Sequence, residues 1–308
     1  MGADQERNVA ELTRNDLVQD LRSLGVEQGD LLNVKASLRS IGNIQGGVDT
    51  LIEAILEAVG PSGTIVTDSF VDVHSPFSRA FWKNVVDQGT PSYAGALANA
   101  MLKRSDVHRS RHPVQKFALI GAMAETLATG HTPDSYAYDV LRIMAERGGK
   151  NLKIGPDEKV PGVGTTHVAI GLAGLRQKRP LAGVRYKDAQ GKVSSFYRNW
   201  SGGCMKAFYN LNSSYDGAQG AVLAKGKVGE APAKLTSMGV TLRLEQELLR
   251  ANAGRFLRCG NPACLDCKFS WEGLSDPLGP FLWGAVLRGR FKDAAKALLY
   301  RIVYRYPF

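Results

Sequence analysis

Between Thr13 and Phe70 the sequence alternates two periodicities, and that alternation limits the fold more than any other feature of the chain. "TRNDLVQDLRSLG" opens on Thr13, whose hydroxyl can cap a helix, sets Leu17, Leu21 and Leu24 on one face, and stops at Gly25. "DLLNVKAS" is an apolar run of strand length. "GGVDTLIEAILEAVG" returns to helical spacing with Val48, Leu51, Ile52, Ile55 and Leu56 inward, and "GTIVTDSF" is a second strand. Strand, helix and strand in this order predict a βαβ unit. Its right-handed crossover makes the two strands parallel and puts the loop after Lys35 at the carboxyl edge, where open α/β sheets bind ligands.

Farther along, Val71 to Pro91 keeps neither period and reads as a loop, carrying Pro76 and Phe77, that covers a site. "YAGALANAMLKR" is helix-like, "KFALIG" and "NLKIG" are buried strands, and helices are expected around Ala122 to Thr129 and Tyr138 to Arg147. Near Gly183 the alternation gives way to a hairpin pattern, "GVRYKDAQGKVSSFYRN", with its turn at Ala189 to Gly191. The expected fold is α/β: a mixed, largely parallel sheet flanked by helices, with a smaller C-terminal lobe of hairpins and helices. One domain is expected over residues 1–280, and a basic amphipathic segment over 281–308.

Composition narrows the classes of function. At 308 residues and 44% hydrophobic the chain can bury a substantial core. No apolar run approaches the roughly 18 residues of a membrane span. "MGADQERNVAEL" has neither a signal-peptide core nor the serine or threonine of a myristoylation signal, so a cytoplasmic protein is expected. Lysine and arginine number 39 against 29 acids, a net charge of +10 that favours anionic partners. Nucleic acid is excluded as a partner, because the basic residues are dispersed and no recognition helix or aromatic RNA-binding motif stands out.

Three stretches carry chemistry. In "VGTTHVAIG", Thr165 or Thr166 is positioned to cap a helix, which puts His167 in its first turn, near backbone NH groups that favour developing negative charge. The place suits a catalytic base or an ordinary structural histidine. "SLRSIGNIQGGVD" offers the hydroxyls of Ser37 and Ser40 and the amides of Gly46, Gly47 and Val48 at a helix start, donors suited to phosphate or amide groups, or simply a turn. In "RSRHP", Arg109 and Ser110 are either such donors or part of a solvated basic loop, with Pro113 fixing the backbone after His112.

Taken together, "LRSLGVEQGDLLNVKASLRSIGNIQGGVDTLIEAILEAVGPSGTIVTDSF", "HRSRHPVQKFALIG" and "GVGTTHVAI" resemble, in order and spacing, the antibiotic N-acetyltransferase family typified by aminoglycoside 3-N-acetyltransferases. The resemblance covers roughly residues 12 to 215. It implies an α/β fold in which acetyl-coenzyme A lies along the loops after the first strands and acetyl passes directly to an amine. His167 would be the general base, and Lys35, Ser37, Leu38, Ser40, Gly46, Gly47, Val48, Arg109 and Ser110 would hold the coenzyme. A protonated amine cannot attack a thioester, so a group of near-neutral pKa must take its proton.

The chain departs from the family pattern at three places. Lys35, Ala36, Ser37 and Leu38 stand where the family commonly has H-S-S-L, Ile170 stands where it often has an acid, and "DSF" with Asp68 replaces "PTF". A substitute acid is expected among Asp157, Glu158, Asp72 and Asp139. The net charge places an anionic acceptor first, a small-molecule or lipid-linked amino sugar of surface polysaccharide synthesis, ahead of a polycationic aminoglycoside. A non-catalytic, metal-bearing protein of the same fold that binds a glycan or a partner is the competing class.

Cys259, Cys264 and Cys267 form a C-x4-C-x2-C cluster, and Cys204, 55 residues upstream, is the fourth cysteine. In a reducing compartment four thiolates suit a closed zinc site, while similar spacing also occurs around iron–sulfur clusters, so zinc, iron–sulfur and no metal all stay open. The C-terminal "LWGAVLRGRFKDAAKALLYRIVYRYPF" interleaves Trp283, Leu287, Phe291, Leu298, Leu299, Ile302 and Val303 with Arg288, Arg290, Lys292, Lys296, Arg301 and Arg305. This pattern fits an amphipathic helix packed on the core, or peripheral contact with the inner face of a membrane.

Overall fold

The computed structural model describes residues 11–157, 160, 164–178, 181–200, 202–261, 264–274 and 277–303, without side chains beyond residue 299. Glu158, Arg305 and residues 1–10 lie outside the described residues, as do the side chains of Arg301, Ile302 and Val303.

The βαβ unit forms as the pattern requires. Strand β1 (Leu31–Ala36) lies parallel to β2 (Thr64–Asp68), with Leu32 opposite Ile65, and the Gly47–Val59 helix connects them. The chain then adds β3 (Val85–Val86), β4 (His108–Arg109), β5 (Phe117–Gly121) and β6 (Lys150–Ile154). The strands that follow are β7 (Gly183–Lys187), β8 (Val193–Tyr197), β9 (Val222–Val228) and β10 (Ala231–Ser237). Seven of these make one sheet in the order β4-β5-β2-β1-β6-β10-β9, and β3-β7-β8 make a second, small sheet.

The α/β class expected from the sequence is what the chain adopts, but parallel pairing in the large sheet is confined to β2-β1-β6. The strands on either side, β4 and β5 at one end and β10 and β9 at the other, run antiparallel to their neighbours. The β7–β8 hairpin turns where expected, with Lys187 opposite Val193. The second hairpin, β9–β10, is no separate lobe, because β10 pairs with β6 through five residues and completes the large sheet.

Two apolar layers cover that sheet. Alternation along β1 sends Leu32 and Val34 into one layer with the Arg14–Ser23 and Gly47–Val59 helices, while Leu31 joins the other with the Asp139–Glu146 and Thr165–Leu172 helices. The first helix carries a full capping box, in which Asp16 donates its amide to the Thr13 hydroxyl and the Asp16 carboxylate accepts the Thr13 amide. Leu17 and Leu21 are fully buried and Leu24 nearly so, as the helical spacing demanded.

On the second face the polar pair Asn33 and Asn151 bridges β1 and β6 at 2.8 Å. Gly164 sits against this pair. A Cβ there would come within 2.7 Å of Leu141 and 3.1 Å of the Asn33 amide nitrogen, so a glycine lets the next helix begin close to the sheet. That helix, Thr165–Leu172, carries His167.

Beyond β10 the long Met238–Phe256 helix leads to a short Leu265–Phe269 helix and two terminal helices, Leu278–Leu287 and Phe291–Val303. The Leu278–Leu287 helix, with Pro277 as its N-cap, runs across position 280. Trp283, Leu287, Phe291 and Leu299 are 61% to 68% exposed, and the terminal helices bury mainly Ala285, Ala294 and Ala297. Among the described residues no helix is long and apolar enough to cross a membrane.

Candidate active site

A cleft of about 580 Å³ opens at the carboxyl ends of β1 and β2, the edge the βαβ reading marked. Lys35 and Ala36 from β1, Thr67 and Asp68 from β2, Tyr138, and Arg198, Trp200, Met205 and Phe208 beyond the small sheet supply its walls, and His167 lines it as well. The Val71–Pro91 loop contributes Val71, Asp72 and Val73, and Tyr93 to Leu97 complete that side.

Two aromatic rings pack against His167. Tyr138 stacks on it with centroids 4.4 Å apart and planes 7° from parallel, and Phe208 meets it edge-on at 5.2 Å. Tyr138 is in turn fixed by Gln115, whose amide donates to the phenol oxygen at 2.7 Å, and the Tyr136 hydroxyl donates to the His167 carbonyl at 2.9 Å. Aromatic packing of this kind restricts the imidazole to one orientation while leaving its edge in the cleft.

The two threonines before His167 do not cap its helix, contrary to the sequence expectation. Gly164 is the N-cap, and Thr165 and Thr166 are buried in the first turn. Their hydroxyls point to the Met238–Phe256 helix instead, Thr165 to Thr241 at 3.2 Å and Thr166 to the Glu245 carboxylate. Glu245 is fully buried, also accepts from the Tyr215 hydroxyl, and keeps Oε2 without a hydrogen-bond partner. Burial pushes its carboxyl up to about 7, partly opposed by the Thr166 and Tyr215 hydrogen bonds.

Glu245 was not among the acids the sequence offered. Asp157 pairs with Lys153, and Asp139 pairs with Arg142 at 2.9 Å. Of the described candidates only Asp72 lines the cleft. Glu245 did leave a trace in the sequence: in "TLRLEQELL" it occupies the same helical stripe as Leu242 and Leu249, both buried, and an acid within an apolar stripe marks a buried carboxylate.

Lys35 and Asp68 form an ion pair at 3.0 Å inside the cleft. The other carboxylate oxygen, Oδ1 of Asp68, is buried with no hydrogen-bond partner among the described residues. A buried acceptor left in this state is a place for a donor supplied by a ligand.

The remaining candidates separate into two groups. Ser37 and Ser40 follow β1 directly, their hydroxyl oxygens 2.9 Å apart on the short Leu38–Ile41 helix, with Leu38 packed on the apolar layer. Gly46 and Gly47 both have positive φ, 78° and 67°, at the start of the Gly47–Val59 helix, and the Gly47 amide donates to the Ile44 carbonyl at 2.9 Å. This leaves Gly46 and Val48, not Gly47, as amides to face a ligand.

The basic block is corrected more fully. The Arg109 guanidinium donates to the carbonyls of Gln88, Thr90 and Ser69, and the Ser110 hydroxyl accepts the Phe117 amide at 2.9 Å. Both residues are buried and neither lines the cleft; Arg109 ties the Val71–Pro91 loop to the residue that follows β2. His112 is buried as well, accepting the Gln115 amide at 2.9 Å and stacking on His131 at 4.9 Å, and burial holds its imidazole down to about 2. Arg109, Ser110 and His112 are therefore core residues rather than parts of a solvated loop.

The four cysteines meet in space. The sulfur atoms of Cys204, Cys259, Cys264 and Cys267 all lie within 4.8 Å of one another, and Cys267 is buried.

The chain is thus an α/β protein with a histidine lining a cleft at the carboxyl ends of parallel strands, and comparison with known proteins gives its family. A family profile described as "Aminoglycoside 3-N-acetyltransferase" matches residues 34–250, and the chain belongs to that family. It is 31% identical over 183 residues to an aminoglycoside N(3)-acetyltransferase III of Salmonella sp., spanning 54% of this chain and 63% of the relative. It is also 31% identical over 166 residues to the aminoglycoside N(3)-acetyltransferase VIII of Streptomyces fradiae, covering 49% and 58%. The aligned part thus spans somewhat under two thirds of these curated relatives. Among solved structures it is similar to sisomicin-bound AAC-VIa, with a TM-score of 0.67 and 26% identity over 79% of this chain and 99% of that one.

Proposed function

We propose that this protein is an acetyl-coenzyme A dependent N-acetyltransferase whose acceptor is an amine of an aminoglycoside-type amino sugar. The observation that carries the reading is His167, packed by Tyr138 and Phe208 and lining the same cleft as the buried carboxylate of Asp68. Family membership supports the reaction class, and the names of the relatives support the acceptor. This reverses the order that net charge suggested. A charge of +10 describes the whole surface, whereas the cleft sets Asp68 and Asp72 against Lys35 and Arg198.

In this reading the Asp68 carboxylate accepts a hydrogen bond from the incoming sugar, and His167 removes one proton from the amine. The freed lone pair attacks the thioester carbonyl, a C–N bond forms, and the oxyanion collapses as the C–S bond breaks. The leaving thiolate takes that proton from the imidazolium, and the neutral imidazole then takes the second proton from the adduct's nitrogen and passes it to solvent, giving the neutral amide and free coenzyme A. Ser37, Ser40 and the amides of Gly46 and Val48, at the same sheet edge, are the proposed holders of the coenzyme.

Thiol release from acetyl-coenzyme A, measured with a panel of aminoglycosides and simple amino sugars, tests the assignment. Turnover of an aminoglycoside is expected. His167→Ala should lower it by about two to four orders of magnitude with coenzyme binding preserved. Saturable coenzyme binding with no thiol release on any amine would overturn the acceptor class, and undiminished turnover in His167→Ala would remove the histidine from the mechanism.

A further inference from the structure

The cysteine cluster divides unevenly along the chain. Cys204 lies within the family match and Cys259, Cys264 and Cys267 lie beyond its end at residue 250. Cys204 is the N-cap of the Met205–Asn212 helix, and that helix forms one wall of the cleft through Met205 and Phe208. Phe208 is the ring that meets His167 edge-on. Its helix enters the cleft tightly: a Cβ on Gly203 would lie 2.4 Å from the Phe208 ring. The other three cysteines belong to the segment after the Met238–Phe256 helix, so the cluster is the point where the added C-terminal segment grips the cleft wall.

Four sulfurs around a single zinc, each at about 2.3 Å from the ion, stand roughly 3.8 Å from one another. The observed cluster, with all four sulfurs within 4.8 Å and Cys264 and Cys267 3.4 Å apart, brackets that spacing, so side-chain shifts of about an ångström would close the site. The thiolates of a multi-iron cluster sit on different irons and are spread farther apart. Hydrogen bonds beside the cluster reinforce the same junction. The Gly202 amide donates to Gln177 at 3.1 Å, Gln177 donates to Ser270 at 2.7 Å, and Asn210 donates to the Arg258 carbonyl at 2.7 Å.

We propose that Cys204, Cys259, Cys264 and Cys267 bind one zinc ion in a closed tetrathiolate site, and that this ion clamps the C-terminal segment to the helix that positions Phe208 against His167. The four thiols give up their protons on binding, all four ligand positions are filled by protein, and the ion is structural. The clamp does not depend on which acceptor the enzyme takes.

Metal analysis of the purified full chain should find one zinc per molecule, and cobalt substitution should give the visible spectrum of a tetrahedral thiolate site. Cys204→Ser should lose the ion and Cys204→His should retain it, because imidazole also ligates zinc. Hydrogen exchange then reads the clamp directly: stripping zinc with a chelator should speed exchange about tenfold or more over residues 205–212 as well as over 259–269. Metal-free wild-type protein, or an iron chromophore in place of zinc, would overturn the site. Faster exchange confined to 259–269, with 205–212 unchanged, would overturn the clamp.

Discussion

The three parallel strands and the C-terminal helices handle apolar surface in opposite ways. In β1, β2 and β6, residues Leu32, Ile65, Val66, Leu152 and Ile154 are at most 1% exposed, shared between two helical layers. In the terminal helices the large side chains Trp283, Leu287, Phe291 and Leu299 face outward and alanines face inward. The first region is held by area removed from water, at about 25 cal/mol per Å². The second has little such area, so its attachment rests on local junctions such as the edge-on Phe269–Phe281 contact at 5.0 Å and the cysteine cluster. Core burial accounts for how the strands beneath the cleft are held; it does not account for how the segment beyond residue 256 stays in place.

Substitutions can break that contrast. Leu152→Ala, which opens a cavity between the strands and the first helical layer, should cost about 2–5 kcal/mol in denaturant titrations. A loss below about 1 kcal/mol would show the core to be less tightly filled than its burial indicates.

The pH dependence of stability gives the next effect. The Glu245 carboxyl is raised in the folded protein to about 7, so the folded state binds its proton more tightly than the unfolded chain does. Stability from this residue is full below pH 4.5, falls as pH rises through the window up to about 7, and the loss amounts to roughly 3 kcal/mol. Glu245→Gln, which keeps an acceptor for Thr166 and Tyr215 without a charge, should flatten the curve over that window. A variant that retains the full slope would move the effect to another group.

The smallest effect is expected at the other pole of the comparison. Leu299→Ser should change stability by less than about 0.5 kcal/mol, since the side chain is 61% exposed. A cost near that of Leu152→Ala would mean that the outer face of the terminal helices is covered in solution.

Local pattern was a good guide wherever one residue's period decides its burial. The helix from Arg14, the βαβ unit and the β7–β8 turn follow from spacing, caps and turn residues. Pattern could not say which strand β10 would join, because its pairing with β6 links residues about 80 positions apart and depends on the whole sheet. Side-chain destinations were equally hidden. The sequence shows that Arg109 is cationic, but only the fold shows its guanidinium spent on three backbone carbonyls. Thr166 looked like a cap because capping and interhelical bonding demand the same hydroxyl, and the partner, Glu245, lies 79 residues away.

The position of β10 has a consequence for biosynthesis. A ribosome that has made β1, β2 and β6 has already produced the strands whose ends carry Lys35 and Asp68, yet the outer edge of β6 is covered only when residues 231–237 emerge. Until then the nascent chain presents the unpaired backbone of Lys150–Ile154, an open edge able to pair with any passing strand. Fragments ending before residue 231 should therefore aggregate during expression even though they contain His167 and both members of the Lys35–Asp68 pair.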